Sequence, residues 1–451
     1  MSAALNNLSF ILQSAFRTPY FALLLLVLPL PAHAQPSQPL PLMSADQAVE
    51  LALQNNYDIQ VARGDADIAH LNNTKGNAGM LPTINLVANE TFTFSAFQQK
   101  LANGTEFVNP GAVFNNANAA VQLNWTLYDG RRMSITKKRL ETLDALGQTN
   151  LQSSIQQTTA AVLQTYYDIA RSQLQINAIE EIIALNSERL RIAEARLAAG
   201  FAAQTDALQA RIDLNQTRAD LLNQQNLMRN SKRALNLLLV RPADTPFEVV
   251  ANIENTFTPD RAALLNGIQT QNPSIQALQK STEVAALLIE ESAALRKPRV
   301  VGTGQLLALR TDNGAGFALN NTQAGLSVGA GLVFPLYSGG NITRQVETAK
   351  VAAKQATLRT DAQRLTLENT LDQLIAAYQT QKEILALEEQ NVVSARENLK
   401  VSTERFRLGQ TTSLETQTAQ NTLSQSLTRR NLSLYALKLG EIQLKLLAGG
   451  L

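Results

Sequence analysis

The sequence predicts a mixed α and β membrane protein built by internal tandem duplication, each half pairing a strand hairpin with a hairpin of very long helices. Three observations carry this reading: two long proline-free spans with a seven-residue apolar step, one register shift that superposes them, and four alternating segments between the helices. The elements follow in chain order.

Residues 1–34 read as a secretory signal peptide. Arg17 precedes an apolar run from Phe21 to Leu30, and Ala32-His33-Ala34 forms a small-x-small cleavage site. A run this short cannot span a bilayer, which takes about 20 residues. The expected mature chain starts near Gln35, with a short linker over 35–43 and no Cys to carry a lipid anchor. No later stretch offers 18 consecutive apolar residues, so a membrane role would have to use strands closed into a barrel.

Composition narrows the function classes. Of 451 residues 45% are hydrophobic, and the net charge of +2 implies no polyanionic partner, hence no nucleic acid. Only 17% are charged, below the usual share of about 25%, and Gln, Asn, Thr and Ser fill the gap. With no Cys and only His70 after the signal, thiol nucleophiles and His/Cys metal sets are absent, and Gly302-Thr-Gly304 lacks phosphate-loop spacing. An enzyme reading and a cofactor therefore have nothing to rest on.

No Pro occurs between Pro110 and Pro242 or after Pro335, leaving both spans free to form long helices. Val162, Ile169, Ile176, Ile183, Leu190 and Leu197 recur at a step of seven. So do Leu371, Tyr378, Leu385, Val392, Leu399 and Phe406, which is the pattern of left-handed supercoiled packing. Adding 209 maps each first-series residue onto the second, and also carries Gly130 to Gly339 and Gly200 to Gly409. Asn56-Tyr-Asp-Ile-Gln60 likewise resembles Asn272-Pro-Ser-Ile-Gln276 at a slightly different offset. Two repeats are thus expected, 44–240 and 260–448, with a Pro-containing linker over 241–259 and a tail over 449–451.

Within the first repeat, helix is expected over 44–79, about 130–198 and 203–239, the middle one reaching roughly 100 Å. Ile84, Leu86, Ala88, Phe92 and Phe94 alternate with polar residues, as do Val121, Leu123, Trp125 and Leu127. In the second repeat 324–334 alternates cleanly and 299–310 less so. Each strand is expected at about 10 residues, enough to cross a tilted bilayer, with polar loops around 97–117 and 312–321. Trp125, Tyr128, Phe334 and Tyr337 sit near strand ends, where aromatic girdles form. Four strands cannot close a barrel, because the smallest have about eight. Three subunits would supply twelve.

In its duplicated element order the chain resembles the TolC-type outer membrane factor family. Leu-Tyr-Asp-Gly130 and Leu-Tyr-Ser-Gly339 close the second strand of each half, and Arg-Leu-Ala-Ala-Gly200 and Arg-Phe-Arg-Leu-Gly409 form the helix reversals. The resemblance implies a homotrimer whose outer-membrane β-barrel, twelve-stranded with four strands per subunit, continues into a long periplasmic α-helical coiled-coil barrel. It further implies docking to a periplasmic adaptor, and through it to an inner-membrane transporter or secretion ATPase, as the exit duct of efflux or type I secretion in the lipid of the outer membrane. A soluble periplasmic coiled-coil adaptor or scaffold is the alternative, and it leaves the alternating strands unexplained.

The reversals are the candidate docking surface: Arg196, Leu197, Gly200, Arg405, Leu408 and Gly409. Both Gly also suit a left-handed helix C-terminus, whatever else they do. For closure of the periplasmic end, the resemblance implies a Tyr and an Arg around the second reversal, an Asp on the first hairpin, and two acidic rings. Those positions hold Phe406, Thr411, Asp206, Glu415 and Thr418, so only Asp206 and Glu415 keep the chemistry. The expected substitute is an apolar constriction from Phe406, with Arg405 or Arg407 pairing Asp206. Asp206 could equally cap its helix, and Glu415 could lie on a solvated face rather than form a cation-attracting ring.

Overall fold

The computed structural model describes residues 41–451 except position 317. The expected signal peptide lies outside the described residues. A two-residue strand, β1 (Leu42–Met43), leads into α1 (Ala45–Asn55) and α2 (Tyr57–Asn72). The hairpin β2 (Thr83–Lys100) and β3 (Glu106–Tyr128) follows, then α3 (Arg132–Ala198) and α4 (Gln204–Leu238). After β4 (Glu248–Val249) the order recurs: α5 (Arg261–Thr270), α6 (Pro273–Ala294), β5 (Arg299–Asn313), β6 (Asn320–Val333), α7 (Asn341–Arg407) and α8 (Ser413–Ala448). Among the described residues no helix is long and apolar enough to cross a membrane.

The helices form a wall. Near the sheet its order is α2, α3, α6, α7, and toward the reversals it is α4, α3, α8, α7. The two long helices, each of 67 residues, run its full height of roughly 100 Å. Each pair of short helices stacks end to end through one asparagine. Asn56 caps α2 by accepting from the Asp58 and Ile59 amides, and donates to the Leu238 carbonyl at the end of α4 at 3.0 Å. Asn272 does the same for α6, and donates to the Leu447 carbonyl of α8 at 2.8 Å. The Asn-x-x-Ile motifs are thus two copies of one joint, with Ile59 and Ile275 buried beneath.

The seven-residue series lie where packing requires them, with one drift. In α7, Leu371, Tyr378, Val392, Leu399 and Phe406 are buried, and Leu385 is half-buried. In α3, Val162, Ile169 and Ile176 are buried, but Ile183, Leu190 and Leu197 are only half-buried. There the buried positions become Ile182, Asn186, Arg189 and Ala193. A straight helix gains about 20° per heptad on a strict seven-step, so the contact stripe slides sideways.

The linker is not a loose strap. β4 pairs in parallel with β1, and the buried Tyr166 hydroxyl donates to the Met43 carbonyl and accepts from the Val250 amide. In the second half Tyr378 donates to the Phe257 carbonyl at 2.8 Å, its ring edge-on to Phe257. One tyrosine of each long helix thereby holds a segment of irregular chain against the middle of the wall.

The four long strands make one antiparallel sheet in the order β2-β3-β5-β6, leaving β2 and β6 with unpaired edges. Register brings the alternations onto one face. Leu86, Val121, Leu306 and Leu326 form one row, with Ile84, Leu123, Gly304 and Val328 on one side and Ala88, Ala119, Ala308 and Ala324 on the other. The opposite face carries Asn85, Gln122, Gln305 and Ser327. From Val300 to Ala308 the apolar face measures about 27 Å along the strand, close to the band of roughly 25 Å that membrane barrels show. Glu90 and Arg310 end it.

The strands are longer than expected, at 18, 23, 15 and 14 residues. The expected loop over 97–117 shrinks to a turn at 101–105, and β3 runs through Asn109, Asn115, Asn116 and Asn118. Alternation registers contrast between two faces. In the outer part of β3 both faces mix asparagines (Asn109, Asn115, Asn116, Asn118) with apolar residues (Val108, Val113, Phe114), so the strand continues without an alternating signal.

Candidate functional site

Both reversals are glycine-terminated helix ends. At the first, the Gly200 amide donates to the Leu197 carbonyl and the Phe201 amide to the Arg196 carbonyl, with Gly200 at φ +77°. At the second, Gly409 at φ +76° donates to Phe406 and Gln410 to Arg405. An L-residue there would be strained, which accounts for glycine at both positions.

Arg196 joins the two reversals. Its Nη1 donates to the Phe406 carbonyl at 2.7 Å, its Nη2 to the Phe201 carbonyl at 3.3 Å, and its guanidinium lies 5.0 Å from the Phe406 ring centre. Beneath it Phe406, 2% exposed, is enclosed by Ile192, Ala193, Ala207 and Ala210, with Leu190 and Leu197 at the margin. This corrects the expected apolar constriction. The Phe406 ring fills the joint between the hairpins inside the subunit and is not free to line an aperture. Its seven-step position already marked a packing role.

The expected pairing of Asp206 is also replaced. Arg405 Nη1 donates to Glu415 Oε1 at 2.8 Å, and Arg407 pairs with Glu404 one turn back. Asp206 sits half-buried in the first turn of α4, where a carboxylate favours the positive helix end, but the cap position is Ala203 with no side-chain bond. Glu415 also accepts from the Thr411 hydroxyl, while its amide donates to the α8 cap Thr412. Arg405, Thr411 and Glu415 therefore form one cluster. Thr418 lies exposed a turn further along, its hydroxyl donating to the Leu414 carbonyl.

Two features escape the sequence reading. Leu408, 65% exposed, is accompanied at the reversals by Phe201 at 77% and Leu414 at 68%, so both loops present bare apolar side chains. The signal available was an aromatic immediately after a terminating glycine, a position that often packs back onto the helix but here stands exposed. Higher up, the buried Arg189 pairs with Asp213 of α4, which also accepts from Gln209 and, at 2.8 Å, from Gln417 of α8. Among the described residues no metal-binding cluster of acids and histidines occurs. On the flank of α3, the Arg191 guanidinium bonded to Glu188 holds that carboxylate below its usual range.

A sheet with an exposed apolar face joined to a tall helical wall with glycine-closed tips is the architecture of the outer-membrane channel class. The sequence model of the outer membrane efflux protein family matches residues 48–240 and again 264–450, and the chain belongs to that family, the TolC-type outer membrane factors. It is 25% identical to the outer membrane efflux protein BepC of Brucella suis over 314 residues, covering 67% of this chain and 65% of that one. It is 23% identical over 441 residues to nodulation protein T of Rhizobium leguminosarum, 91% of each chain. The fold matches the crystal structure of the outer membrane protein VceC from Vibrio cholerae at a TM-score of 0.74. That match covers 90% of this chain and 96% of the other at 17% identity, a level that speaks for the fold alone.

Proposed function

We propose that this protein is one subunit of a homotrimeric exit duct. Twelve strands and twelve helix-widths close around one axis, and the duct passes substrates from a periplasmic adaptor and an inner-membrane transporter or secretion ATPase across the outer membrane. The observation that carries this reading is the sheet: an apolar face of membrane height, exposed, with unpaired edges on both sides. A free edge and a bare apolar face are costly in water and are satisfied together when β2 of one subunit pairs with β6 of the next inside lipid. The same exposure disfavours a soluble adaptor.

The helical wall supports it independently. Its outer helices leave apolar residues exposed at heptad spacing, Val351, Leu358 and Leu365 on α7 and Val61 and Ile68 on α2, which suits a coiled-coil seam between copies. That α7 begins and ends 209 residues after α3 supports tandem duplication, so each subunit contributes two similar sectors. The bare Phe201, Leu408 and Leu414 at the tips suit an adaptor contact. The test is purification in detergent followed by mass determination and planar-bilayer recording. A trimer with stepwise conductance is expected, and a water-soluble monomer that forms no pore overturns the reading.

A further inference from the structure

Where the apolar band of the sheet ends toward the helices, basic side chains crowd the strand-helix junctions. Arg132 and Arg139 share Glu291, and Lys137 pairs with Glu141. Arg131, Lys138, Arg296, Lys297 and Arg344 are exposed and make no ion pair among the described residues. Two of the junctions touch: a Cβ on Gly130 would fall 2.4 Å from the Lys297 Cβ, so the loop carrying Arg131 lies against the loop carrying Arg296 and Lys297. The basic residues of the two junctions therefore lie side by side, with one carboxylate, Asp129, among them, itself accepting from the Met133 amide.

The same level holds the exposed aromatics. Trp125, Tyr128, Phe334 and Tyr337 stand at the ends of β3 and β6, Tyr337 being 89% exposed and Leu336 beside it 87%. Amphipathic rings next to unpaired cations, at the foot of a lipid-height apolar face, match the chemistry of a bilayer interface from hydrocarbon to phosphate. Arg299 begins the polar face of β5, in register with Val333, and borders one cleft with Lys297 and Asp129.

The geometry points to a headgroup-binding collar: Arg131, Arg296 and Lys297, flanked by Lys138 and Arg344, bind the phosphates of anionic glycerophospholipids in the leaflet facing the helical wall. Phosphate is held by charge-assisted hydrogen bonds from guanidinium and ammonium groups, and the aromatic row fixes its depth. The collar would set how far the sheet sinks into the membrane. This inference rests on the proposed membrane-inserted trimer.

The test reconstitutes the full-length protein into vesicles of phosphatidylethanolamine alone or mixed with phosphatidylglycerol, scoring trimer retention on heating and phosphatidylglycerol retained in native mass spectra. For the unsubstituted protein, phosphatidylglycerol is expected to raise the temperature of trimer loss. The triple variant R131Q/R296Q/K297Q is expected to lose that increment, each removed charge weakening phosphatidylglycerol binding roughly fivefold. The charge-preserving R296K/K297R keeps it, which separates charge from packing should the triple variant fold poorly. Inorganic phosphate added to the detergent-solubilised trimer should not reproduce the effect, and if it does, a free-phosphate site replaces the collar. Insertion without any preference for phosphatidylglycerol overturns the inference, as does a triple variant that retains the preference or changes only ion selectivity, the mark of a lumenal ring. Failure to insert at all would instead count against the exit-duct reading.

Discussion

Arg196, on the last turn of α3, holds the carbonyl of Phe406 on the last turn of α7 at 2.7 Å while its guanidinium covers the Phe406 ring. One side chain thus connects the two reversals by a charge-assisted hydrogen bond and a cation–π contact, which together are worth about 2 kcal/mol at a partly buried site. Arg196→Ala should separate the hairpin tips, and Arg196→Lys should restore little, because an ammonium cannot both reach the carbonyl and stack on the ring. Since the chain has no Cys, a single introduced cysteine pair across the tips can be read cleanly. Cross-linking should fall in the alanine variant, and unchanged cross-linking would show that packing around Phe406 suffices.

Glu415 is bonded to Arg405 and Thr411, so its charge is compensated within the subunit. Two substitutions should therefore act in opposite directions. Arg405→Gln leaves the carboxylate uncompensated and should raise cation selectivity, while Glu415→Gln frees the guanidinium and should lower it. Reversal potentials in a salt gradient measure both. Identical shifts would mean that neither side chain borders the ion path.

Asn56 and Asn272 occupy equivalent joints, each capping one short helix and donating to the last turn of another. Alanine at either position removes a cap and leaves a carbonyl without its partner, a loss of about 2 kcal/mol. The two variants should be destabilised alike in thermal unfolding. A large asymmetry would show that one joint is supported by contacts the other lacks.

The helices were legible because their signal is redundant: a seven-step series, an absence of Pro, and a terminating Gly agree at both Gly200 and Gly409. The apolar part of β6 was legible because Leu326 and Val328 alternate with Gly325, Ser327 and Gly329, whereas in β5 Leu307 and Leu309 fall on the other face and blur the pattern. The outer half of β3 was not, because Asn115, Asn116 and Asn118 give no contrast between faces. At the reversals, residue type suggested which side chains could pair but not which would. Arg405 lies within reach of Glu415, ten residues along the chain and one turn into α8, so the local partner takes precedence over Asp206 on the other hairpin. Phe406 carried two conflicting signals, a family position at the aperture and a heptad position in the core, and packing decides it.

Glu441 is buried on α8 between Lys438 and Lys445, whose ammonium groups donate to its two oxygens at 2.8 and 2.6 Å. Burial alone would raise its pKa, but the two lysine hydrogen bonds outweigh it and hold the carboxyl below its usual value of 4.5. A carboxylate depressed in the folded state stabilises above its unfolded pKa, and that contribution is lost as the pH falls through the folded value. Stability of the folded protein should therefore drop as the medium is acidified below about pH 4.5. Glu441→Gln should flatten that part of the profile, while costing about 3 kcal/mol near neutrality because both lysines lose their counter-charge. Thermal unfolding of both proteins across the acid range measures the difference. Parallel profiles would assign the acid sensitivity to other carboxylates, with Asp144, held low by Asn73 and His70, as the next to substitute.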